Sequence, residues 1–149
     1  MMEMIELTVK DAVLQALEQA RGTRLSGGRL AEQLGVSRAA VHKAIAALRE
    51  SGLAIDAVTG EGYRLASDDD SLTAAGINAL LDTAVIGREI LVEPSLTSSN
   101  TTMKEQYLSR KHGFTLFAEE QTGGRGRLGR TFVSPADTGV YMTILLHPT

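Results

Sequence analysis

Leu34-Gly35-Val36-Ser37-Arg38-Ala39-Ala40-Val41-His42-Lys43 sets the fold of the front of the chain, because it holds a helix stop, a corner and a new helix start in one short run. Gly35 suits the left-handed backbone that ends a helix, and the Ser37 hydroxyl can cap the free N–H groups of the next one. Upstream, Ser26 can cap a helix whose Leu30, Ala31 and Leu34 face inward. Before that, Thr8 with Asp11 has the form of a capping box, and Val9, Val13, Leu17 and Ala20 share one face of a helix ending near Gly22. Downstream, Val41, Ala44, Ile45 and Leu48 form the inner stripe of a third helix closed by Gly52, with Ala39, His42, Lys43 and Ala46 outside. Residues 53–58 and 63–65 then read as short strands around Thr59-Gly60-Glu61-Gly62, a glycine-bearing turn. Together they predict a winged helix-turn-helix over residues 1–66.

The run Ala66-Ser67-Asp68-Asp69-Asp70 has nothing apolar to bury and reads as a domain boundary. Beyond it, over residues 67–149, helices and strands mix. Thr73 opens a short helix through Leu81, residues 86–92 alternate as a strand does, and Ser99 or Asn100 opens a helix to about Ser109. Residues 114–118 form a compact apolar strand, and residues 140–146 another, apolar enough to be central. The class is α+β, with a mixed sheet in the second domain and no internal repeat.

A length of 149 residues accommodates two small domains. With 43% hydrophobic and 22% charged residues the chain can build real cores and is not disordered. No apolar run approaches the roughly 18 residues a bilayer crossing needs, and residues 1–6 have no signal-peptide character, so a cytoplasmic protein without membrane contact is expected. The absence of cysteine excludes disulfides, a thiol nucleophile and thiolate metal sites, and His42, His112 and His147 lack ligand spacing, so no protein metal site is expected.

A net charge of −3 argues against a general nucleic-acid binder, so any DNA contact must use local charge. Residues 21–50 concentrate it: Arg21, Arg24, Arg29, Arg38, Lys43 and Arg49 stand against only Glu32 and Glu50. Ser37, Arg38, His42 and Lys43 sit in the first two turns of the third helix, where its positive end adds to their charge, and are the candidate DNA contacts. The plainer reading is an αα corner with solvated arginines, in which His42 is a bystander.

Between two strands lies Glu120-Gln121-Thr122-Gly123-Gly124-Arg125-Gly126-Arg127-Leu128-Gly129-Arg130. Glycines let backbone N–H groups approach a ligand and arginines supply fixed, forked donors, a combination suited to carboxylate or phosphate. It lacks the Lys-Ser/Thr of a P-loop. Read alone, it is also compatible with an RNA-binding arginine-glycine tract or a plain connector, and Ser98-Ser99-Asn100 with a simple helix cap.

The 120–130 run resembles the signature loop of biotin protein ligases, with Ser134-Pro135 following at the family's spacing. Ser98-Ser99-Asn100 is similar to the family's Ser-Thr-Asn motif, and Tyr141-Met142-Thr143-Ile144 to the strand after the loop. The front domain, through Ser26-Gly27 and the 34–43 run, resembles the regulatory domain of the family's bifunctional members. Departures are Ser99 for the usual threonine, which loses a packing methyl, and Phe132 for the usual tryptophan, which loses an indole N–H.

The resemblance implies an ATP-dependent ligase that forms a carbon–nitrogen bond. Biotin and ATP with Mg²⁺ would give biotinyl-5'-AMP, and biotin would pass to a lysine of biotin carboxyl carrier protein. It implies Arg125 and Arg127 as the catalytic pair beside the biotin carboxylate and the phosphate. Ser98, Ser99, Asn100, Gln121, Gly124, Arg125, Gly126 and Arg127 would be the biotin contacts, and Gly129, Arg130 and Phe132 the adenylate-gripping part of a mobile loop. It also implies a homodimer that binds operator DNA and represses biotin genes. A repressor that senses biotin without ligase activity is the alternative, and a lipoate ligase, which shares the fold, ranks behind it. The family's catalytic domain continues beyond the strand ending at Leu146, so the resemblance implies a truncated chain with little or no ligase activity of its own.

Overall fold

The structure, a computed structural model, describes residues 7–148; the reading of residues 1–6 as free of a leader lies outside them. The chain divides into two units, Met1–Ser71 and Leu72–Thr149.

In the first unit α1 (Val9–Gln19), α2 (Gly27–Leu34) and α3 (Arg38–Glu50) precede β1 (Ile55–Val58) and β2 (Gly62–Leu65). The capping box is present: Asp11 N donates to Thr8 Oγ1 at 3.2 Å and Thr8 N to Asp11 Oδ2 at 3.1 Å. The expected face of α1 needs correction at both ends. Val9 is exposed and Ala20 only half-buried, while Leu14 and Ala16 join Val13 and Leu17 inside. The buried stripe is wider because α1 meets α2, α3 and β2 together. α2 ends at Gly35, φ 65°, and α3 starts at Ser37, whose Oγ accepts from Ala40 N at 3.1 Å. Val41, Ala44, Ile45 and Leu48 are all buried, as their spacing predicts.

β1 and β2 pair antiparallel from Ile55↔Leu65 to Val58↔Gly62, with Gly60 and Gly62 at positive φ in the turn. Leu25, just before α2, exchanges backbone hydrogen bonds with Tyr63 in both directions, at 2.7 and 2.8 Å. The first unit extends to Ser71, so the polar run from Ala66 to Asp70 goes with it. Arg21 Nη1 donates to the carbonyls of Ala66 and Asp69, and the Asp69 carboxylate accepts from Ala54 N and Ser71 N. The acidic run is thus bound down by hydrogen bonds rather than by apolar contact.

The second unit contains α4 (Ala74–Leu80), β3 (Ile90–Leu96), α5 (Ser99–Gln106), β4 (Thr115–Gln121) and β5 (Tyr141–Ile144). β4 lies between a parallel partner, β3, and an antiparallel one, β5. The sheet is mixed, as expected, but two strands differ from expectation. The first begins at Ile90, not Ile86, because Gly87 turns the chain at φ 76° and bonds to the Gly113 carbonyl. It then continues through Pro94, which lacks an N–H and is tolerated because β3 has a partner on one side only among the described residues. The 140–146 strand is shorter and lies at an edge among those residues; the central strand is β4, buried from Thr115 to Ala118. Likewise α5 stops at Gln106, short of Ser109.

Met103, Phe114, Leu116 and Leu145 form the core under this sheet, with Leu91, Leu96 and Tyr107 packed against it. Arg110, paired to Glu89 at 2.8 Å, covers the rings of Tyr107 and Phe114 at 5.8 and 5.7 Å. No helix among the described residues is long and apolar enough to cross a membrane.

Candidate functional site

In the second unit the parallel strands β3 and β4 deliver their carboxyl ends side by side, a common place for a ligand crevice. The chain beyond each strand is clipped to its neighbour: Thr122 N donates to Leu96 O at 2.9 Å and Gly123 N to Thr97 O at 2.8 Å. α5 therefore starts beside the end of β4. Ser98 precedes that helix but makes no side-chain cap; instead Gln121 Oε1 accepts from Ser99 N at 2.7 Å. The plain reading of Ser98-Ser99-Asn100 as a self-sufficient cap is thereby replaced by a tie between the triplet and the loop signature.

Thr143 on β5 completes the tie. Its Oγ1 lies 2.9 Å from both Ser99 Oγ and Asn100 Oδ1. Gln121 Nε2 reaches the buried Ser134 Oγ at 3.4 Å, a long hydrogen bond. The structure thus gathers Ser99, Asn100 and Gln121, from separate motifs, with Thr143 and Ser134. Sequence reasoning had no residue-level role for those two: Thr143 lies 43 and 44 residues from its partners and Ser134 13 from Gln121, separations that no local pattern links.

The glycine and arginine run is folded. Gln121 N bonds to Ser134 O, Phe132 N to Gly124 O and Gly126 N to Arg130 O, all within 2.9 Å, so the segment returns on itself as a narrow hairpin. A short 3-10 turn, Arg127–Gly129, forms its tip, where Leu128 takes φ 57° and is 95% exposed. Gly124 is required by this closeness: a Cβ there would stand 2.5 Å from the Phe132 carbonyl oxygen. The N–H groups of Gly123 and Gly126 are already used by the Thr97 and Arg130 carbonyls. The available donors are therefore guanidiniums more than glycine amides. Arg125, Arg127 and Arg130 are exposed, and among the described residues none of their side chains enters a hydrogen bond or ion pair. A shallow recess under the tip is lined by Arg127, Arg130, Thr131 and Phe132. Among the described residues no group of three or more His, Asp or Glu is placed to hold a metal ion.

In the first unit a groove runs between the start of α3 and the β1–β2 turn, lined by Arg38, His42, Val58, Gly60, Glu61 and Tyr63 among others. Arg38, His42 and Lys43 are exposed, and Ser37 is exposed with its hydroxyl engaged in the cap. Two of the six cations counted from sequence are committed elsewhere. Arg21 pairs with Glu18 at 2.7 Å, and Arg24 with Asp56 at 2.7 Å and Glu61 at 3.3 Å. Arg29, Arg38, Lys43 and Arg49 form no ion pair among the described residues.

Residues 10–64 match the family profile described as HTH domain, and residues 92–149 that of the Biotin/lipoate A/B protein ligase family. The chain thus joins a helix-turn-helix domain to a biotin/lipoate ligase-type domain, in an α+β architecture. Across both it is similar to the bifunctional ligase/repressor BirA of Bacillus subtilis (strain 168), 33% identical over 142 residues, which are 95% of this chain and 44% of that protein. It is likewise similar to the bifunctional ligase/repressor BirA of Escherichia coli (strain K12), 37% identical over 125 residues, 84% of this chain and 38% of that one. The chain spans less than half the length of these relatives.

Proposed function

We propose that this protein is a biotin–[biotin carboxyl carrier protein] ligase that also binds operator DNA and represses transcription of biotin genes. The ligase half rests on one observation above all: three unengaged guanidiniums on a folded hairpin that leaves β4 at Gln121, the residue tied to Ser99. The names of the relatives, ligase and repressor together, support both halves.

In the first step the biotin carboxylate attacks the α-phosphorus of ATP and pyrophosphate leaves. Two anions must meet, so Arg125 and Arg127 act by offsetting that repulsion and the charge that builds on the phosphoryl oxygens. Ser98, Ser99, Asn100 and Gln121 orient biotin, and Gly124 and Gly126 line its place without side chains. Gly129, Arg130 and Phe132 hold the adenylate, the ring of Phe132 giving an aromatic wall without an indole donor. In the second step a carrier-protein lysine attacks the acyl carbonyl, AMP leaves, and the lysine proton goes to solvent. With no acidic cage among the described residues, Mg²⁺ would be held by the nucleotide phosphates and water. Ser37, Arg38, His42 and Lys43 face DNA, and ordering of the loop by adenylate favours a homodimer that binds operator more tightly.

Biotin-dependent release of pyrophosphate from ATP, measured on the full-length gene product, tests the ligase reading. Activity that falls at least about a hundredfold in Arg125→Ala supports it, since a lost oxyanion donor typically costs that much. Operator binding that responds to biotin but not to ATP, with no pyrophosphate released, would mark a sensor without ligase activity. Activity with lipoate in place of biotin would reassign the substrate.

A further inference from the structure

A DNA-facing wing should be basic, yet the hairpin of the first unit carries Asp56 on β1 and Glu61 in its turn. Both carboxylates are met by Arg24, which lies just before α2. Its Nη2 is 2.7 Å from Asp56 Oδ2, its Nε 3.3 Å from Glu61 Oε2 and its Nη1 3.3 Å from the Gly62 carbonyl oxygen. Three guanidinium nitrogens thus hold three groups of one hairpin, a geometry open to arginine's planar fork and closed to lysine. The Arg24 side chain is 22% exposed while Asp56 and Glu61 are 48% and 64% exposed, so the cation lies beneath the acids it neutralises. The next residue, Leu25, bonds to Tyr63 through both backbone groups. Gly62 lies so close to this segment that a Cβ would stand 2.1 Å from Leu25 O. The Arg24 hydrogen bond, with further help from the charge of Arg64, also holds the Asp56 carboxyl below its ordinary range.

We propose that Arg24 is a positioning residue for the wing, which fixes the hairpin beside α3 and cancels its two carboxylates where DNA approaches, and that it does not itself contact phosphate. This rests on the DNA-binding reading above. Had Arg24 been a phosphate contact, its donors would point to solvent as those of the loop arginines do; instead all three nitrogens are used within the unit.

Binding of a fluorescent random-sequence DNA duplex, followed over a series of salt concentrations, separates the two roles. The proteins compared are the wild-type chain, Arg24→Gln, Asp56→Asn/Glu61→Gln and the triple variant. A positioning role predicts a several-fold loss for Arg24→Gln that disappears in the background lacking both carboxylates. A phosphate contact predicts the same loss in both backgrounds, with the slope of log K against log salt reduced by about 1, and would overturn the proposal. Failure of the wild type to bind even at low salt would defeat the DNA reading itself. A readout free of DNA is hydrogen exchange at the amides of Glu61 and Tyr63, which the proposal expects to quicken in Arg24→Gln. Should that variant not fold, Asp56→Asn/Glu61→Gln carries the test: it leaves Arg24 in place but removes the ion pairs, so the same amides should exchange faster. Unchanged exchange there would overturn the proposal.

Discussion

At Gly124 a single methyl group decides whether the loop hairpin can close. A Cβ would lie 2.5 Å from Phe132 O, a backbone atom that cannot retreat without opening the hairpin, and 2.9 Å from Ser134 Oγ. Gly124→Ala should therefore weaken binding of a non-hydrolysable biotinyl-adenylate analogue by at least about tenfold, given that overpacking costs roughly 1–3 kcal/mol; calorimetry reads it. Gly62→Ala meets backbone at 2.1 Å and a φ of 109°, so the first unit should lose about 2 kcal/mol or more in urea denaturation. Residue types at the loop site were legible in the sequence, but their bonding was not. Ser98-Ser99-Asn100 reads locally as its own cap, whereas the bond to Ser99 N comes from Gln121, 22 residues away. Arg24 read as one more surface cation because Asp56, its partner, lies 32 residues on.

Among the elements, α3 was the most legible. Four apolar residues at helical spacing, a serine cap and a bounding glycine specify it without help from elsewhere, and all four are buried. Leu48→Ala should accordingly destabilise the first unit by about 2–5 kcal/mol in a denaturation experiment, as for other buried leucines. On the outer face Lys43→Ala should leave stability alone and lower the salt slope of DNA binding by about 1. Strands were less legible. Ile86 to Val92 alternates, but a glycine turn and the pairing of Ile90 with Thr115 move the strand four residues on. Pairing partners, which a short apolar run does not encode, also decided that β4 and not β5 is central.

For the molecule as a whole, the division into a helix-turn-helix unit and a mixed-sheet unit was readable from periodicity and composition, and the bonding of the run between them was not. Asp68, Asp69 and Asp70 look like a solvated linker until Asp69 is seen accepting from Ala54 and Ser71 under the charge of Arg21. Burial pushes the Asp69 carboxyl up, but these hydrogen bonds and the arginine outweigh it and hold it below its ordinary value of 3.8. Asp56 is lowered as well. A carboxyl whose folded pKa is depressed stabilises the fold above its unfolded pKa and loses that contribution as pH falls through the folded one. The first unit should thus have this contribution in full at neutral pH and lose it as pH falls below about 3.8, and Asp69→Asn should flatten that acid limb in urea unfolding.

The central claim is that the hairpin tip from Gly124 to Arg130 is an anion-binding turn for an acyl adenylate. Hydrogen exchange across residues 124–130, with and without the biotinyl-adenylate analogue, addresses it at those amides. Slower exchange there, abolished by Arg125→Ala with α3 unaffected, is the result the account predicts. Identical exchange with and without the analogue, up to the highest concentration at which it dissolves, would contradict it.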